Sequence, residues 1–286
     1  MKIPRGLQPL IEDGKVDAVL RQLKSGKEAS VYVVSTGGQL CCAKVYKEAE
    51  RRGFHKLAQY QEGRKTRNSR DARAQGKRSR HSREVQESAW KNAEVDALYR
   101  LAGAGVRVPK PLDAHEAVLL MELVVDAQGN PAPRLNEVTM TPEQARQWHA
   151  FMMTQIVRML CAGLIHGDLS DFNVLVDANG PVIIDLPQAV DAASNNNAFA
   201  MLERDVNNMR ATFAAAAPEL AETQYAHEIW ELYQAAELSP ETPLTGRFVH
   251  DLNSADVGMV LDHIEAAREE AEARQRVREE AAAETR

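Results

Sequence analysis

Residues 164–190, LIHGDLSDFNVLVDANGPVIIDLPQAV, constrain this chain more than any other stretch. Two apolar runs, Val174 to Asp177 and Val182 to Asp185, read as short strands, and Ala178-Asn-Gly-Pro181 reads as the tight turn of a hairpin. Asp168 falls in the loop before the first strand, Asn173 at its start and Asp185 at the end of the second. A hairpin would gather all three on one edge. Polar residues that interrupt an otherwise buried-looking segment need a reason. Two oxygen donors for a hard cation, plus an Asp placed at a hydroxyl, are the equipment of phosphoryl transfer.

The spacing agrees with that chemistry. A kinase catalytic loop sets its base Asp and a metal-binding Asn five positions apart, followed by a second metal-binding Asp. Asp168, Asn173 and Asp185 follow that order, with His166-Gly-Asp in place of His-Arg-Asp and Asp185-Leu-Pro in place of Asp-Phe-Gly. The plain alternative is a pair of surface carboxylates near a turn.

Upstream, residues 1–24 carry a modest helical pattern through Ile11, Val16, Val19, Leu20 and Leu23. The polar turn Ser25-Gly-Lys-Glu-Ala-Ser30 then feeds a strand from Val31. Thr36-Gly-Gly-Gln39 turns the chain, and Leu40 to Tyr46 returns as a second strand. Such a hairpin can lie over nucleotide phosphates and offer backbone N–H donors, with Lys27 adding charge. Lys44 is placed to grip phosphates, or is a solvated strand lysine. Glu84 to Ala102 turns helical, with Gly103 as its stop. Glu94 on that helix is the expected partner of Lys44, and Glu84 and Glu87 are its rivals. After the Pro-punctuated connector Val106 to Pro111, Ala117 to Val124 is a buried strand that ends in the break Asp126-Ala-Gln-Gly-Asn-Pro, the expected lobe boundary. Backbone groups of Glu122 and Val124 would read an adenine edge, with Met121 lining the pocket.

Thr141-Pro-Glu-Gln144 is a helix start with a capping box, and the helix it opens runs to Gly163. His149 on it has no partner at ligand spacing and is read as structural. Phe199 to Ala217 and Glu219 to Leu238 follow as helices; Arg204 and Asp205 on the first read as surface residues before catalytic contacts. A helix runs from Ser254, its final part from Glu265 to Arg286 a solvated tail.

No run of about 18 apolar residues spans a membrane and no apolar signal region opens the chain, while Cys41, Cys42 and Cys161 form no disulfide or zinc framework; a reducing cytoplasm is expected. Charge is unevenly spread. Arg51 to Arg83 holds 12 Lys and Arg against Glu62 and Asp71, although the whole chain carries a net charge of −6. This aperiodic stretch reads as a flexible loop, either solvated or touching RNA or an acidic partner through Arg64 to Arg83.

With these residues together, the chain resembles the RIO family of atypical serine/threonine protein kinases. Ser25-Gly-Lys-Glu-Ala-Ser-Val-Tyr32 is similar to that family's glycine-poor phosphate loop, and Ala43-Lys44-Val45 to its strand lysine. Residues 90–111 resemble its Glu-bearing helix and connector, and His166 to Asn173 its catalytic loop. The stretch ahead of residue 25 carries no winged-helix pattern, and the likeness is to the first subfamily, although Pro187 is more like the second. Departures at residues 25–27 and 187 suggest a divergent, bacterial branch.

The resemblance implies an α+β, bilobal protein-kinase-like fold without the usual activation segment. On the pattern of the chain itself, a helical segment 1–24 precedes a small β-rich N-lobe at residues 25–125, a mostly helical C-lobe takes residues 126–238, and a helical extension takes residues 239–286, opened by the break Ser239 to Gly246. The resemblance covers roughly Leu23 to Phe213. It implies ATP and Mg2+ as cofactors, Asp168 as base, Asn173 and Asp185 as metal ligands, and Lys44 with Glu94 as the ion pair. Ser25, Lys27, Glu28 and Val31 would flank the phosphates. Some members act as ATPases that phosphorylate the metal Asp, here Asp185. Two further readings share parts of the pattern: a small-molecule, aminoglycoside-like phosphotransferase, and a nucleotide-dependent module that binds RNA or protein.

Overall fold

The computed structural model describes residues 3–26, 28–47, 93–115 and 117–248. Lys27, Glu84, Glu87, the basic stretch 51–83 and the tail from Ser254 lie outside the described residues.

A short helix α1 (Gln8–Glu12) leads into three antiparallel strands, β1 (Ala18–Ser25), β2 (Ala29–Thr36) and β3 (Gln39–Tyr46). Helix α2 occupies residues 93–103, followed by β4 (Pro111–His115) and β5 (Val118–Glu122). The five strands form one sheet in the order β1-β2-β3-β5-β4. Side chains alternate across a strand, so each β3 residue is committed to one of two faces. Cys41 and Ala43 pack outward under Leu7 and Leu10, with Tyr32, Val34, Val118 and Leu120. Cys42, Lys44 and Tyr46 face inward and line a cavity.

Residues 18–24 are strand, where the sequence suggests helix. The pairing of β1 with β2 slips at Leu20 and again at Leu23. These two bulge residues sit three apart, which imitates a helical period. The sheet therefore starts ahead of residue 25. Helix α2 runs through Gly103; Gly105, at φ 74°, is the residue that ends it. Gly105 N–H bonds the Ala102 carbonyl and Val106 N–H bonds the Leu101 carbonyl, the pairing of a left-handed C-terminal cap.

Below the sheet, α3 (Pro142–Cys161) begins with the expected cap: Thr141 Oγ1 accepts from Gln144 N–H at 3.2 Å, and Gln144 Oε1 accepts from Thr141 N–H at 3.0 Å. The chain continues through β6 (Leu164–Ile165), the hairpin β7 (Val174–Asp177) and β8 (Gly180–Ile183), then β9 (Val190–Asp191), which pairs with β6. Asp177 pairs with Gly180, so the turn is the two residues Ala178 and Asn179, and β8 closes at Ile183. Asp185 therefore lies beyond the strand. Its φ of 68° belongs to the turn that follows.

Helix α4 (Ala198–Ala214) starts soon after, with no long segment interposed, and α5 (Tyr225–Gln234) packs against it. The second of these is shorter than the sequence suggests, because Gln224 N–H bonds the Gly246 carbonyl after a 3-10 turn over Pro218–Glu222. Residues 239–247 form turns and irregular chain, at the break that the sequence suggests, and belong to the same compact unit as the lobes before them. The architecture is the expected α+β one: an antiparallel sheet lobe above a helical lobe. No helix of the described residues is long and apolar enough to cross a membrane.

His149 shows how tightly the lower lobe is packed. It is 1% exposed, its ring lies 5.8 Å from Phe213 and 5.4 Å from Tyr225, and its Nε2 has no hydrogen-bond partner. Burial pushes its pKa down to about 4, from 6.5. The unfolded chain therefore takes up a proton between pH 6.5 and 4 that the folded chain refuses. The His149 contribution to stability should fall by roughly 3 kcal/mol across that window and level off below it. Urea unfolding at pH 7 and pH 4 should show this contribution lost in His149→Phe.

Candidate active site

A cavity of about 500 Å³ opens between the sheet and the hairpin β7–β8. Its roof is Gly26, Glu28, Ala29 and Val31 of β1–β2, its back edge Met121 to Val124, and its floor Leu175, Ile184 and Asp185. The turn over it is the one between β1 and β2. The Thr36–Gln39 turn, the other candidate in the sequence, does not line it. Lys47 Nζ braces the roof by donating to Ser25 Oγ at 3.0 Å and to the Gly26 carbonyl at 2.5 Å.

Lys44 is the centre of the cavity. Its Nζ donates to Glu94 Oε1 at 2.5 Å and to Asp185 Oδ1 at 2.8 Å. Glu94, the partner favoured from sequence, meets Lys44 because α2 turns it inward, where it is 4% exposed. Tyr46 OH donates to its second oxygen at 2.7 Å. Burial alone would push the Lys44 ammonium down, but the two carboxylates outweigh it and hold its pKa above the ordinary value. Burial likewise works against the Asp185 carboxylate, yet Lys44 keeps its pKa below the usual range.

The loop 166–173 is built on a buried carboxylate. Asp205 on α4 is 2% exposed and accepts from Gly167 N–H at 2.8 Å and from Leu169 N–H at 2.9 Å. Burial pushes its pKa up to about 6, against the pull of His166 and the two N–H groups. Arg204 donates to the Gly167 carbonyl, and Asn208 Nδ2 to the Leu169 carbonyl at 2.8 Å. His166 completes the frame: its Nε2 meets the Ile184 carbonyl at 3.1 Å, and its Nδ1 accepts from Asp168 N–H at 3.3 Å. So Arg204 and Asp205 are catalytic-loop supports, where the sequence favours surface positions. A charged pair on a helix looks the same in sequence either way.

Held from behind, Asp168 projects to solvent as an exposed residue. Asn173 is 9% exposed, and its Nδ2 donates to the Asp168 carbonyl at 2.8 Å, which leaves Oδ1 as an acceptor. Ile184 N–H bonds the Asn173 carbonyl at 2.9 Å, tying this loop to the segment that ends in Asp185. Asn173 and Asp185 thus supply hard oxygen donors, the kind that suit Mg2+. Among the described residues no cluster of three His, Cys, Asp or Glu could cage a metal. A cation here would fill its shell with water and phosphate oxygens, as Mg2+ does.

At the back edge, part of the Glu122 and Val124 backbone is already occupied. Glu122 N–H donates to the Lys110 carbonyl at 2.8 Å, and the Val124 carbonyl accepts from Ala132 N–H at 3.0 Å, so those two groups are engaged. The Glu122 carboxylate pairs with Arg107, whose Nη2 also reaches Asp177 at 2.6 Å. Arg107 has no local signal in the sequence, because its partners lie 15 and 70 residues away. Lys24, Arg134 and Tyr46 also line the cavity without having been singled out in the sequence.

A family model described as the RIO domain matches residues 30–226. The chain belongs to the RIO domain family. Among similar proteins is a RIO-type serine/threonine-protein kinase, Rio1, of Haloferax volcanii, 34% identical over 201 residues, or 70% of this chain and 64% of that protein. A serine/threonine-protein kinase, rio1, of Schizosaccharomyces pombe is 27% identical over 72% of this chain and 40% of its own length. The human serine/threonine-protein kinase RIO1 is 29% identical over 67% of this chain and 32% of its own. The chain thus spans less than two thirds of each of these relatives. Within the RIO domain, the loop 166–173 and its Asp205 support all lie inside the matched residues.

Asp205→Ala would strip the acceptor from two buried N–H groups at about 1–3 kcal/mol each. Urea unfolding should show a loss of about 2–6 kcal/mol, with hydrogen exchange at Gly167 and Leu169 accelerated as in no distant segment.

Proposed function

We propose that this RIO domain protein is an ATP-dependent kinase that transfers phosphate to serine or threonine hydroxyls of a protein and uses Mg2+. The observation that carries the reading is Lys44, held between Glu94 and Asp185 in a cavity whose neighbouring loop presents Asp168 to solvent. The names of the relatives favour a protein acceptor over a small molecule. Adenine lies against Met121 and the Glu122–Val124 backbone, using the Glu122 carbonyl and the Val124 N–H. The phosphates run under the turn between β1 and β2 towards Lys44. Asn173 and Asp185 would hold Mg2+, which when bound would spread and neutralise phosphate charge.

In the transfer step the acceptor hydroxyl oxygen bonds to the γ-phosphorus while the bond from that phosphorus to the bridging β,γ-oxygen breaks. The hydroxyl proton passes to the Asp168 carboxylate, and ADP leaves with the bridging oxygen. Asp168 has solvent access to receive a proton, whereas Asp205 does not and serves only to orient the loop.

Incubation with labelled ATP, magnesium and a generic protein acceptor should give hydroxylamine-stable label on serine or threonine. Asp168→Ala should lower that transfer by about 10²–10⁴-fold while leaving ATP affinity within a factor of about three. Hydroxylamine-labile label on the protein itself, abolished by Asp185→Asn, would instead place turnover on an Asp185 phosphate. Absence of ATP consumption under every condition would sink the kinase reading.

A further inference from the structure

Lys44 cannot by itself make the cavity attractive to a polyanion, since it stands between two carboxylates at 2.5 and 2.8 Å. Among the described residues that line the cavity, the positive charge that remains is that of Lys24 and Arg134. Lys24, at the end of β1, and Arg134, beyond the β5 edge, both line the cavity, one from each lobe. Among the described residues neither has a carboxylate partner for its side chain. Arg134 Nη1 donates only to the Phe172 carbonyl, at 2.5 Å, which anchors the guanidinium beside the catalytic loop. Glu137, an acid that lines the cavity with them, is turned to the Arg134 backbone, whose N–H it accepts at 2.9 Å. The two cations sense each other: burial and the facing Arg134 push the Lys24 ammonium below its ordinary pKa, with Asp185 and Glu137 pulling the other way.

We propose that Lys24 and Arg134 form a clamp across the cavity mouth that closes on the phosphate chain of the bound nucleotide. A phosphate between them replaces a repulsion by two charge-assisted contacts, the Arg134 fork offering two parallel donors and Lys24 a point charge. Because the cations come from opposite lobes, occupancy draws the sheet lobe and the helical lobe together at the rim. Lys24 and Arg134 thereby discriminate nucleotides by charge, and adenosine, which carries none, gains nothing from them. This clamp rests on the nucleotide reading of the cavity.

The test is calorimetric titration of wild type, Lys24→Gln, Arg134→Gln and the double variant with adenosine, AMP, ADP and ATP. Each single variant should weaken ADP or ATP by about tenfold and the double by about a hundredfold, with adenosine affinity unchanged. The step of the series at which the loss first appears identifies which phosphate sits in the clamp. Equal weakening of adenosine and ADP would mean the side chains only shape the pocket, and the clamp would be overturned. Wild-type ADP and ATP affinity in the double variant would overturn it too, while leaving the nucleotide reading intact. Failure of wild type to bind any of the four ligands would overturn both.

Discussion

Everything in this cavity depends on a single ammonium group, that of Lys44. A buried charge costs several kcal/mol unless it is paired and hydrogen-bonded. Lys44 is 12% exposed at its side chain and meets Glu94 from α2 and Asp185 from the turn after β8. Three elements far apart in sequence are therefore pinned to one atom: a strand, the helix behind it and the floor opposite. Tyr46 reinforces the arrangement by satisfying the second Glu94 oxygen. With both carboxylates on one ammonium, the helix and the floor are set together.

Two aspartates divide the work below. Asp205 is buried and receives backbone N–H groups; Asp168 is exposed and receives none among the described bonds. The same carboxylate chemistry thus does opposite things according to access. The buried one fixes a loop and is shielded from any acceptor. The exposed one stands where a hydroxyl can approach, its position set by its neighbour's contacts.

The fold class and the placing of Asp168, Asn173 and Asp185 around one hairpin are readable because both follow from short-range pattern. Asp168, Asn173 and Asp185 stand at fixed offsets around a hairpin whose apolar alternation is plain, and Thr141 to Gln144 encode their own cap. Strand β1 was not readable, since its two bulge residues, Leu20 and Leu23, are placed three apart and counterfeit a helix. Asp205 was misread for a different reason: a carboxylate on an amphipathic helix becomes a loop anchor only when another segment brings its N–H groups to it. Arg107 and Arg134 lie in connectors without periodicity, and tertiary contact alone gives them their roles. Glu94 falls between these cases, legible as a candidate on its helix and seated against Lys44 by the inward turn of α2.

Arg107 also bears on how the molecule can move. Its guanidinium joins Glu122 at the end of β5 to Asp177 at the end of β7. Its backbone N–H meets Gln155 on α3 at 2.8 Å, and its carbonyl accepts from Ile183 N–H. One residue thus binds the spine where the two halves meet. Swinging them apart like the covers of a book would strand the Asp177 carboxylate, whose side chain is 7% exposed.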